Sequence, residues 1–210
     1  KKRKRTMSNT LYWECYSGIS GDMAVASLLD LGADEKVLRE ALQSLPVSGF
    51  QIKISRVKKS GLDACDFDVI LDKEHDNHDH DMEYLHGKHA EDHEHEEHKH
   101  EEHKHGEHAH THRGMIEIMD IIRVAEITDG AKKIAERIFE ILAAAEAKAH
   151  QVPVEKVHFH EVGAVDSIVD IIAVAVCLDN LGIDQVIVPV LYEGKGFVRC
   201  QHGMLPVPVP

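Results

Sequence analysis

The chain has 210 residues and a 43% hydrophobic content, enough to bury the core of one folded domain. Its formal charge of -13 disfavours nucleic acid as a partner. Four widely spaced cysteines, Cys15, Cys65, Cys177 and Cys200, form no CxxC pair, which argues against a disulfide framework and for reduced thiols.

The charge is uneven: residues 1–5 carry +5 and residues 75–112 carry -9. KKRKR lacks a second basic cluster or an apolar partner. Residues 1–9 are therefore expected to be a disordered basic tail, with Met7 a candidate natural start, in preference to a targeting signal. No signal peptide is read at the start. The longest apolar run, AVDSIVDIIAVAVCLDNLG, contains Asp166, Asp170 and Asp179. A cytoplasmic protein without a membrane segment is expected.

TLYWECY (10–16) reads as a first strand, followed by the small-residue turn SGISGD. Asp22 is placed to cap a helix MAVASLLDLG that Gly32 ends. ADEKVLREALQSL spaces Val37, Leu38, Ala41, Leu42 and Leu45 as a second helix. FQIKISRV and DACDFDVIL, on either side of KKSG, predict a hairpin. Helices resume with GMIEIMDIIRVAEI and DGAKKIAERIFEILAAAEAKAHQ, where Ile134, Ile138, Leu142, Ala145 and Ala149 mark an expected apolar face that Pro153 stops. KVHFHEV is short and extended, AVDSIVDIIAVAVCLDNLG is a central helix, DQVIVPV is a buried-type strand and GKGFVRCQHG adds a last one. The alternation predicts an α/β fold, with a mixed sheet and flanking helices, over residues 10–210.

Residues 73–112 interrupt this pattern with a predicted disordered His-rich loop, because low hydrophobicity and high charge bury too little surface to offset ordering entropy. Fourteen of the 18 histidines lie between His75 and His112, and EEHKH occurs twice in tandem. Low complexity encodes no single geometry. Imidazole suits nickel, zinc and copper, and His93, His95, His98, His100, His103, His105, His108 and His110 are candidate metal ligands. A solvated spacer is the bland alternative, but nothing in packing requires so many imidazoles. A flexible loop of this length spans roughly 30–40 Å and can hand metal to an ordered site at high effective concentration.

HFHEVGAVDSIVD (158–170) is the sharper constellation. In an extended segment His158 and His160 point to one side while Phe159 faces the core. Glu161 follows at the turn, and Asp166 and Asp170 share a helix face. Two imidazoles with carboxylates suit a first-row metal. His158, His160, Glu161, Asp166 and Asp170 are therefore candidate catalytic residues, with His158 and His160 also candidate ligands. Structural roles in capping and in bonds to backbone carbonyls are the alternative. Ser17, Gly18, Ser20, Gly21 and Asp22 form a strand-to-helix turn whose amides suit a phosphate, although a plain tight turn accounts for it equally well. His202, in CQHGMLPVP, is a lone histidine of the kind that is more often structural.

LYWECYSGISGDM, a hairpin, a His-rich loop, AEAKAHQVPVEKVHFHEVGAVDSIVDI and CQHGMLPVP, in that order, resemble the nickel insertion protein family of the nickel-pincer cofactor pathway, the LarC family. The resemblance implies a lyase that inserts nickel into pyridinium-3,5-bisthiocarboxylic acid mononucleotide, forming one carbon–nickel and two sulfur–nickel bonds. It implies CTP with manganese or magnesium as cofactors, held by a C-terminal nucleotide-binding domain that this chain lacks. The expected partners are the pyridinium mononucleotide and that domain, supplied separately, with no nucleic acid and no membrane. A metal-buffering protein and a metal-dependent phosphoesterase using His158, His160 and Asp166 are the rival functions.

Overall fold

The computed structural model describes residues 9–72, 113–159, 163–200 and 203–208. Residues 1–8 of the expected tail, the His-rich insertion 73–112, and His160, Glu161 and His202 lie outside the described residues, whereas Asn9, expected to end the disordered tail, opens a strand by pairing with Ile183.

The elements run β1 (Asn9–Tyr12), α1 (Gly21–Leu31), α2 (Glu35–Gln43), β2 (Phe50–Lys59), β3 (Leu62–Leu71), α3 (Met115–Val124) and α4 (Asp129–His150). A short 3-10 turn (Val154–Lys156) then leads to α5 (Val165–Asn180), β4 (Ile183–Ile187), β5 (Gly196–Cys200) and β6 (Gly203–Val207). Helix and strand mix as an α/β reading requires. The single mixed sheet expected from the sequence is not formed among the described residues. There are three two-stranded sheets instead, β1 parallel to β4 and the antiparallel pairs β2–β3 and β5–β6.

Local chemistry sets most boundaries. Gly32 ends α1 in the left-handed conformation at φ 113°, and the next amide, of Ala33, returns to Leu28 O at 3.0 Å. The Asp34 carboxylate caps α2 through the Lys36 amide at 2.8 Å, and Asp34's own amide donates to Asn180 Oδ1 at 2.8 Å, tying α2 to the end of α5. Ser60 and Gly61, both at positive φ, close the β2–β3 hairpin with Lys59 opposite Leu62. Thr128 caps α4, accepting from the Ala131 amide at 3.1 Å and donating to Asp179 Oδ2 at 2.6 Å. Thr128→Ala is expected to cost about 1–2 kcal/mol. It should lower the melting temperature by roughly 2–4 °C per kcal/mol, read by calorimetry. An unchanged transition would mean that the cap contributes nothing.

α5 is the centre of the core: Val165, Ile168, Val169, Ile172, Ala173, Ala175, Val176, Cys177 and Leu178 are all buried. α4 packs on it with a face other than the one expected. Ala131, Ala135, Phe139, Ala143 and Ala147 are buried, whereas Ala145 and Ala149 are exposed and Ile134, Ile138 and Leu142 are only half-buried. A ridge of alanines lets two helix backbones approach closely, and Phe139, on the same buried face, packs against Phe159. One hairpin face is capped by α1, and Phe67 is its most buried residue. No helix among the described residues is long and apolar enough to cross a membrane.

Candidate functional site

Two groups of polar residues flank the start of α5. The first surrounds His158. Gly114 pairs with His158 in an isolated antiparallel bridge, and the Phe159 amide donates to Arg113 O at 3.2 Å. Phe159 is fully buried, facing the core as expected, and meets Phe139 edge-on with ring centroids 6.1 Å apart. His158 itself is exposed. The Glu117 carboxylate accepts from the Gly114 amide. A side chain at position 114 would sit 3.4 Å from Glu117 Oε2 and 3.7 Å from His158 Nδ1, so Gly114 lies between the two groups. Arg113 Nη1 donates to Gly163 O at 3.1 Å, locking the approach to α5. Gly163 tolerates no side chain, because a Cβ there would stand 2.7 Å from Phe159 O.

The second group is acidic. α1 begins against α5 so closely that a Cβ on Gly21 would stand 2.6 Å from Asp170 Cβ. The Asp22 amide, at the start of α1, donates to the Asp170 carboxylate. Burial pushes the Asp170 carboxyl up to about 7, with the nearby charges of Asp22 and Asp166 adding to it, the Asp22 amide opposing it and Asp68 of β3 a smaller contribution. Asp166 Oδ1 and Asp170 Oδ1 are both buried without a hydrogen-bond partner. The Asp22 side chain accepts from the Ser20 hydroxyl. It does not cap α1, whose N-cap is Ser20 and which has no side-chain cap hydrogen bond.

The structure thus joins two motifs read separately in the sequence, SGISGD and VDSIVD, through Gly21, Asp22, Asp166 and Asp170. It also adds neighbours the sequence did not single out: Glu117 and Arg113 beside His158, and Asp68 beside Asp170. The glycine at 21 was the available signal, since a residue without Cβ marks close approach. Among the described residues no group of three or more His, Cys, Asp or Glu side chains converges as a metal site. The expected ligands His93, His95, His98, His100, His103, His105, His108, His110 and His160, and Glu161, fall outside the described residues. At the turn formed by Ser17, Gly18, Ser20, Gly21 and Asp22, the Asp22 amide is already committed to Asp170, and the nearby charges of Asp22 and Asp166 disfavour an anion.

The family described as nickel insertion protein matches residues 11–210. A pyridinium-3,5-bisthiocarboxylic acid mononucleotide nickel insertion protein of Alkaliphilus metalliredigens (strain QYMF) is 54% identical over 208 residues, which is 97% of this chain and 44% of the relative. Proteins of the same name from Clostridium acetobutylicum (48% identical, 95% of this chain and 47% of the relative) and Geobacillus kaustophilus (42%, 95% and 43%) are also similar. The chain therefore spans less than half the length of these curated relatives. No solved structure matches it.

Proposed function

The chain belongs to the nickel insertion protein family, and from that we propose that it binds nickel and delivers it to a pyridinium-3,5-bisthiocarboxylic acid mononucleotide, as the nickel-binding part of a longer lyase. The observation that carries this reading is the pairing of Gly114 with His158. His112, the last histidine of the tract, is two residues from Gly114 in the chain, so the chain leaving the histidine-rich sequence meets the ordered motif within two residues.

In this reading the tract imidazoles collect Ni(II) as cargo, and His158, His160 and Glu161 receive it. The thiocarboxylates of the substrate, being softer ligands, take it over. Formation of a carbon–nickel bond releases one ring proton. Asp170 is the acceptor we assign: a carboxyl near 7 is partly ionised at neutral pH and holds a proton once it has taken one. Burial keeps that value high, with the charges of Asp22 and Asp166 adding to it, and Gly21 and the Asp22 amide fix the position of the carboxyl. No phosphate is assigned to the SGISGD turn. CTP with manganese or magnesium belongs, in this proposal, to the part of the longer protein that this chain does not span.

The experiment is reconstitution. Nickel, the pyridinium precursor and CTP with manganese are supplied, with and without the remaining part of a full-length relative, and activation of an apoenzyme that depends on the nickel-pincer cofactor is measured. Activation is expected only when both parts are present. No activation from two folded parts would refute delivery, and activation by this chain alone would refute its dependence on a second part. A metal-buffering role is the second reading, favoured by the 14 histidines between His75 and His112. It expects nickel binding with no activation under any combination.

A further inference from the structure

β4 departs most from expectation. DQVIVPV reads as a buried strand, yet every residue of β4 after Ile183 is exposed, and Val188, Val190 and Leu191 beyond it are 42%, 47% and 52% exposed. From Gln185 to Tyr192 there is no charge. β4 lies parallel to β1 with Tyr12 opposite Ile187, Cys15 bridges to Leu191, and the rings of Tyr16 and Tyr192 meet at 6.0 Å. Tyr12, Tyr16 and Tyr192 are all more than half exposed. The open surface continues toward the β5–β6 hairpin, where Val207 reaches the loop at Gly194 and Phe197 is 66% exposed.

A two-stranded parallel sheet is seldom left uncovered, because parallel strands are stable when both faces are packed. A strand that runs into the uncharged segment 185–192, with an edge left open among the described residues, also invites pairing with other chains unless something covers it. A second copy of this chain is a poor cover: the body is strongly acidic, and like charges oppose self-association. The curated relatives, by contrast, carry more than half of their length outside the region this chain matches.

We propose that the β1–β4 face, from Tyr12 and Ile187 to Leu191 and Tyr192, is the docking surface for the remaining part of the family's longer polypeptide, which covers it through apolar contacts. This rests on the reading of the chain as one part of a longer nickel insertion protein. The test involves no nickel, CTP or substrate, so its failure would leave delivery standing, and a failure of delivery would leave docking standing.

The measurement is amide hydrogen exchange at the segment 183–192 of this chain and at the aligned segment of the full-length Alkaliphilus metalliredigens relative, at equal low concentration. Exchange in the relative is expected to be tenfold or more slower than in this chain, whose own exchange should not change on raising its concentration. Equal exchange in the two proteins would overturn the proposal. So would protection that appears in this chain only at high concentration, because the cover would then be a second copy.

Discussion

Replacing Phe139 by alanine should lower the unfolding free energy by about 3–5 kcal/mol, a large share of the roughly 5–15 kcal/mol that holds a typical domain together. Phe139 is fully buried and is the one large side chain on an α4 face otherwise made of Ala131, Ala135, Ala143 and Ala147. Alanine neighbours cannot move inward to fill the space, because they sit on a rigid helix backbone, so a cavity would persist. The change should also reach the site. Phe139 supports Phe159 edge-on, and Phe159 holds its neighbour His158 at the bridge to Gly114. Denaturant unfolding of the variant reads the first effect, and nickel affinity of the still-folded variant reads the second. A midpoint within error of the parent would show that the two rings are not packed as described.

Replacing Asp170 by asparagine should do the opposite to stability and remove activity. The folded carboxyl sits at about 7 against an ordinary value near 3.8, so between those limits the folded protein holds a proton that the unfolded chain has released. Its contribution is fully present below about pH 3.8, falls as pH rises toward 7, and leaves a constant penalty above. At about 1.4 kcal/mol per pH unit the ceiling is near 4 kcal/mol, and partial solvent access reduces it to about 2–3 kcal/mol. Asparagine stays neutral, keeps an oxygen for the Asp22 amide and offers donors beside Asp166, whose Oδ1 is buried without a partner. The variant should therefore melt higher than the parent at pH 8 and lose part of the decline between pH 4 and 7. As the assigned proton acceptor it should also fail to support cofactor formation when the full system is reconstituted. Identical melting curves across pH for the two proteins would remove Asp170 from both roles.

Much of the fold follows from local sequence. α1 ends where Gly32 permits a left-handed residue, the KKSG turn closes the hairpin, and the nearly all-apolar run at 165–180 becomes the central helix. The face of α4 was not legible, because two apolar stripes share the helix and periodicity favours the one with isoleucine and leucine, whereas the structure buries the one with Ala131, Ala135, Phe139, Ala143 and Ala147. What decides this is how near α5 comes, and a single helix carries no record of that. β4 was misread for a related reason: Val/Ile composition reports what a strand is suited to pack against, and the described residues provide no such cover. At the site, the helix spacing of Asp166 and Asp170 was legible, whereas their meeting with Gly21 and Asp22 is tertiary and had only the missing Cβ to signal it.

Nickel titration near neutral pH, on the whole chain, on a variant lacking residues 75–112, and on that shortened variant with His158→Ala, most directly tests capture by the tract and transfer to the ordered motif. The whole chain should take up several ions, the shortened variant should retain about one, and His158→Ala should abolish that one. All uptake should fail in mild acid, where protons compete with the metal for ligand nitrogens. A whole chain that takes up no more nickel than the shortened variant would contradict capture by the tract, and a shortened variant indifferent to His158 would contradict transfer.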